Sequence, residues 1–250
     1  MPALDSAAGT IDVEVIPMRS VLSTVYLQLP NRNMTFIDFS LTNKGDRSET
    51  VMIESEILGY SERAISTVNV PSHGTVIVGQ TPVLKPSLIP REMTTAPLDY
   101  RVTFRDGALI KESTEPIRVY AKDTIVWAVL EGGEWIDISE FIGAWVTPHD
   151  PSIDTLVRRA AEYHPSHTME GYQCGDCSDE EWSEYTDLQV QALFEALKRD
   201  YHITYINTPI AFGLDTENPQ RVRLPFDSIS TGSANCIDGT VLYASALEAL

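Results

Sequence analysis

Gly232-Ser233-Ala234-Asn235-Cys236-Ile237-Asp238, running on through Val241-Leu242-Tyr243-Ala244-Ser245-Ala246-Leu247 to Leu250, is the stretch on which the second half of this chain turns. Its small and polar beginning predicts a tight loop, and Asn235 is a good N-cap. Ile237, Val241, Ala244 and Leu247 then recur at helical spacing and predict one buried stripe. Cys236 is therefore expected at the first position of a buried helix. Backbone N–H groups and the positive end of the helix dipole favour a thiolate there, the attacking form of cysteine. The same N–H groups are placed to stabilise an oxyanion. Asp238 falls in the first turn, where capping explains it as well as chemistry does. A lone cysteine at a helix start also fits a small core residue, so the local pattern leaves both readings open.

Working back from that loop, two helices can be read. Asp150-Pro151 supplies an N-cap with proline in the first turn. Ile153, Leu156, Val157, Ala160 and Ala161 form a stripe, Arg158 and Arg159 lie near its end, and Pro165 follows. This predicts a helix over 151–163. Ser178 with Glu181 makes a capping-box pattern at the start of a second helix. Val190, Leu193, Phe194 and Leu197 are its expected buried stripe, with Lys198 and Arg199 closing it. The acidic run Asp179-Glu180-Glu181 offsets the dipole at that N-terminus, which explains it without metal. A strand is expected over 202–206, with His202 structural, and 228–233 reads as the approach loop to the cysteine helix. Residues 125–130 are ambiguous between buried strand and connector, and Trp135, Phe141 and Trp145 are expected to pack the junction between the two halves.

The first half has a different grammar. Ile37, Phe39 and Leu41 alternate with Asp38, Ser40 and Thr42, a period of two with one wet face. Asn43-Lys44-Gly45-Asp46 gives turn chemistry before the alternation of Val51, Ile53 and Ile57, and the pair predicts a β-hairpin. Leu98, Tyr100, Val102 and Phe104 repeat the pattern, followed by the turn Arg105-Asp106-Gly107 and a strand near Ile117 and Val119. The stretches 11–16, 21–29, 64–70 and 75–78 are further strand candidates. Pro82, Pro86, Pro90 and Pro97 make the segment between them a loop or ragged edge. Short strands at this spacing suggest an immunoglobulin-like β-sandwich.

A chain of 250 residues accommodates one large domain or two ordinary ones. The net charge of −18 argues against nucleic acid, which needs a basic face, and against an anionic membrane surface. No apolar run approaches the length that spans a bilayer, and the first residues lack the basic-then-apolar order of a secretory signal. Three cysteines, at 174, 177 and 236, make no disulfide framework, so a reducing, cytoplasmic setting is the expectation. No glycine-rich phosphate loop appears.

Two places in the sequence could carry chemistry. His164, His167, Cys174 and Cys177 lie within fourteen residues and offer the ligand types of tetrahedral zinc. The histidine pair is spaced by two residues rather than the usual three to five. An ordinary loop with two thiols is the simpler reading, and no other cofactor is expected. At Cys236 the sequence detail goes further. Gly–three residues–Cys–x–Asp, then Leu242-Tyr243-Ala244-Ser245 and Leu247-Glu248-Ala249-Leu250, resembles the cysteine motif of the transglutaminase-like, papain-related superfamily. Arg221-Val222-Arg223-Leu224-Pro225 is similar to the lead-in of some bacterial members. Gly171-Tyr172-Gln173 and the helix before 201–205 extend a weaker resemblance over about the last hundred residues.

The resemblance implies acyl transfer through a thioester on Cys236, with histidine as base and then acid and a protein or peptide as substrate. In that family the His and Asp follow the cysteine helix, whereas His73, His149, His164, His167 and His202 all precede Cys236. The helix ends at Leu250 without glycine or a basic last turn, which suggests the N-terminal portion of a longer protein. The expected organisation is α+β: a β-sandwich over 1–122, a connector over 123–149, and the first, mostly helical part of a transglutaminase-like domain over 150–250. The alternative is a non-catalytic module in which sandwich and thiol domain bind a protein partner.

Overall fold

The structure is a computed structural model that describes residues 10–17, 20–32, 34–131, 133–171, 177–207 and 218–250. The chain is α+β and divides after Lys122 into two compact units.

The first unit is built from β1 (Ile11–Pro17), β2 (Ser20–Val21), β3 (Ile37–Asn43), β4 (Glu49–Ile57), β5 (Ala64–Val70), β6 (Thr75–Gln80), β7 (Thr94–Phe104) and β8 (Leu109–Val119). They form a three-stranded sheet in the order β1-β3-β6 and a five-stranded sheet in the order β2-β8-β7-β4-β5. Alternation sets the faces. Ile37, Phe39 and Leu41 of β3 and Val51, Ile53 and Ile57 of β4 are fully buried, while the residues between them are wetter. The Phe39 ring meets Tyr100 of β7 edge-on at 5.8 Å, joining the buried faces of the two sheets. Each such aliphatic side chain contributes roughly 1.5–3 kcal/mol on burial.

Three expectations need correction here. β3 and β4 do not pair as a hairpin: β3 pairs with β1 and β6, and β4 with β5 and β7. Alternation fixes which side of a strand is dry, and a strand of the same sheet or of the facing one satisfies it equally. Asn43 holds the crossing. Its amide donates to the carbonyls of Arg47 and Val70 at 2.8 and 3.1 Å, and its Oδ1 accepts from Gly45 N–H. The stretch 21–29 is not a strand: only Ser20–Val21 pairs, and a 3-10 helix covers Tyr26–Arg32. Its buried residues Val21, Leu22, Val25, Tyr26 and Leu29 follow helical spacing, which the strand reading overlooked. Pro97 lies inside β7 rather than in a loop, opposite Pro116 of β8, and its carbonyl accepts from Leu58 N–H at 2.9 Å.

The second unit opens with β9 (Thr124–Ile125), β10 (Ala128–Glu131) and β11 (Glu134–Asp137), then a 3-10 helix at Ser139–Trp145. The expected connector 123–149 is thus structured: β10 and β11 form a hairpin, and β9 pairs with β13 (Gln220–Arg221). Trp145 and Phe141 are buried, whereas Trp135 is 38% exposed.

The helices are α1 (Pro151–Ala160), α2 (Asp179–Arg199), α3 (Pro225–Thr231) and α4 (Cys236–Glu248), with β12 (Thr204–Tyr205) and β14 (Ser233–Ala234) forming a parallel pair. Asp150 caps α1, and Ser178 with Glu181 forms the capping box of α2. Ile153, Leu156 and Ala160 of α1, Ala192, Leu193, Ala196 and Leu197 of α2, and Leu242 and Ala246 of α4 share one core.

The stripe expected on α2 is offset in the structure. Its buried line is Gln189, Ala192, Leu193, Ala196 and Leu197, and Phe194 is 51% exposed beneath the Lys198 ammonium. Ala192 and Ala196 join Leu193 and Leu197 in the core shared with α1 and α4. Residues 228–233 are not a loop: α3 runs to Thr231 and ends at Gly232, whose φ of 62° is the left-handed C-cap that glycine takes without strain. The strand expected over 202–206 shrinks to two residues, since His202 has a φ of 51°.

Candidate functional site

Cys236 is the first residue of α4 and its thiol is exposed. The segment that carries it is held on both sides. Upstream, β14 pairs with β12 in register Thr204 with Ser233 and Tyr205 with Ala234, and Ile206 N–H donates to Ala234 O at 2.9 Å. Downstream, Asn235 Oδ1 accepts from the N–H groups of Ile237 and Asp238, both at 2.8 Å, and Asp238 accepts in return from Asn235 N–H at 3.2 Å. This is a reciprocal capping box. It narrows the oxyanion expectation: two of the first N–H groups of α4 already serve Asn235. The N–H of Cys236 itself has no partner among the described residues, so it is the donor left beside the thiol.

The buried line of α4 is Asp238, Val241, Leu242, Ser245 and Ala246, one position round from the expected Ile237, Val241, Ala244 and Leu247. That rotation buries the Asp238 carboxylate, which is 4% exposed, and leaves Cys236 facing outward. Ser245 donates to Val241 O and accepts from Thr147 N–H, so the buried hydroxyl is used twice.

Sequence reasoning gave Arg223 no role beyond membership of a lead-in, yet it organises the site. Its backbone N–H donates to Asp238 Oδ1 at 2.8 Å, and its guanidinium reaches Ser233 Oγ at 2.7 Å, Ser233 O at 3.1 Å and Thr231 Oγ1 at 3.4 Å. One residue thereby ties the end of α3, the strand β14 and the first turn of α4. The only forewarning in the sequence is an arginine just before Leu224-Pro225 in a strongly acidic chain. Tyr243, also on α4, is pushed up by burial and stays a neutral phenol. None of the five histidines hydrogen-bonds to Cys236 among the described residues, and His73 lies in the first unit bonded to Asp46.

Among the described residues the other candidate set is not assembled. His164 is buried, with Nδ1 at 2.7 Å from the Ser166 hydroxyl, and its Nε2 is enclosed without a partner. His167 adopts a φ of 57°. Cys177 is disulfide-bonded, which corrects the expectation of free thiols in this loop and removes a thiolate ligand. Cys174 lies outside the described residues. No three His, Cys, Asp or Glu side chains among the described residues converge to hold a metal ion. No helix among them is long and apolar enough to cross a membrane.

The site and fold define an exposed helix-terminal thiol in an α+β chain. No protein-family model and no curated protein matches the sequence. Among solved structures, a FixG-related protein from Vibrio parahaemolyticus is 14% identical with a TM-score of 0.30, over 45% of this chain and 97% of that one. Native alpha-2-macroglobulin from Escherichia coli, from domain MG7 to its C-terminus, is 11% identical with a TM-score of 0.30, over 94% of this chain and 40% of that one. An exo-chitosanase from Amycolatopsis orientalis gives 11% identity and a TM-score of 0.32, over 96% of this chain and 31% of that one. Similarities this weak assign neither fold family nor function.

Proposed function

We propose that the second unit is the cysteine-bearing part of a transglutaminase-like thiol enzyme, joined to an immunoglobulin-like β-sandwich, and that Cys236 is its nucleophile. The observation that carries this reading is an exposed thiol at the first position of α4, on a segment immobilised by Arg223, Asn235 and Asp238. A positioned nucleophile needs such support from its neighbours. Two antiparallel-rich sheets with their buried faces in contact support the sandwich.

In the proposed reaction the Cys236 thiolate attacks the carbonyl carbon of a peptide or amide. A carbon–sulfur bond forms, the carbon–nitrogen bond breaks, and the amine leaves with a proton supplied by a general acid. The Cys236 N–H is the donor nearest the developing oxyanion. The reaction also needs a base, and none of the histidines is hydrogen-bonded to the thiol among the described residues. The same observation favours the second reading, a thiol domain serving as a binding scaffold. Incubation with a glutamine-containing peptide and no added amine, an acid quench, and mass spectrometry of residues 236–250 test the first reading. A Cys236-linked acyl adduct that is lost in Cys236→Ala supports it, and its absence in a protein that includes a general base contradicts it.

A further inference from the structure

No further inference is drawn: the strongest candidate, the polar pocket on the outer face of the five-stranded sheet lined by Glu54, Arg63, Asp99, Arg101, Glu112 and Thr114, carries nothing, because its charged side chains are already engaged with one another or with the Thr114 hydroxyl and nothing in the structure shows what fills it.

Discussion

Both units bury a polar network, and they use it for opposite ends. In the first unit Gln80 is buried between the sheets, where its amide donates to Ile53 O and Ser66 Oγ and accepts from Ser55 Oγ. Every bond of that network ends inside the fold, and nothing reactive borders it. In the second unit Arg223, Ser233, Asn235 and Asp238 form a network of similar size that flanks the exposed Cys236. Buried polar groups in this chain are therefore first of all architecture.

The largest expected effect comes from breaking the second network at its centre. Asp238→Ala strips the acceptor from the N–H groups of Arg223 and Asn235 and is expected to destabilise the second unit by about 2–4 kcal/mol. Calorimetry that resolves the units should show the loss in one transition only. Gln80→Ala tests the other side of the comparison. It removes the side-chain donor to Ile53 O and Ser66 and the acceptor of the Ser55 hydroxyl, and is expected to cost about 2–3 kcal/mol in the first unit, with no change in labelling of Cys236. Gly79→Ala presses a methyl into the side chain of Thr35, so it is expected to cost about 1–3 kcal/mol, read from the same transition.

Smaller effects follow at the surface. Hydrogen bonds from Ser178 hold the Glu181 carboxyl below its usual range, so its contribution to the start of α2 is complete above that range. It is lost as the pH falls through the lowered value, and Glu181→Gln should remove that part of the acid dependence of helicity in circular dichroism. Asp46→Asn breaks the exposed pair with His73 and is expected to change stability by less than about 0.5 kcal/mol.

Much of this was legible from period and caps. Asp150, Ser178 and Asn235 announce their helices because a side-chain oxygen at an N-cap has one partner to find, the N–H groups of the following turn. The alternation of Ile37 to Leu41 and of Val51 to Ile57 gives the strands for the same local reason. What was illegible is non-local. Which sheet β4 joins depends on Val70 and on the reach of Asn43 across the crossing, and nothing in residues 37–57 records it. The rotation of α4 was missed because Asp238 and Ser245 look like outward residues. They are buried only because Arg223 and Thr147 satisfy them from afar.

All of this bears on whether Cys236 is a presented nucleophile or simply an exposed thiol. The most direct measurement is its rate of alkylation by iodoacetamide near neutral pH, followed by mass spectrometry. The reference is an exposed thiol in mid-strand, introduced by Thr114→Cys in a chain that also carries Cys236→Ser. Cys236 is expected to react at least about fivefold faster than that reference thiol. Arg223→Met is expected to remove most of the difference while the fold persists. Equal rates at positions 236 and 114 would contradict the assignment of Cys236 as a nucleophile.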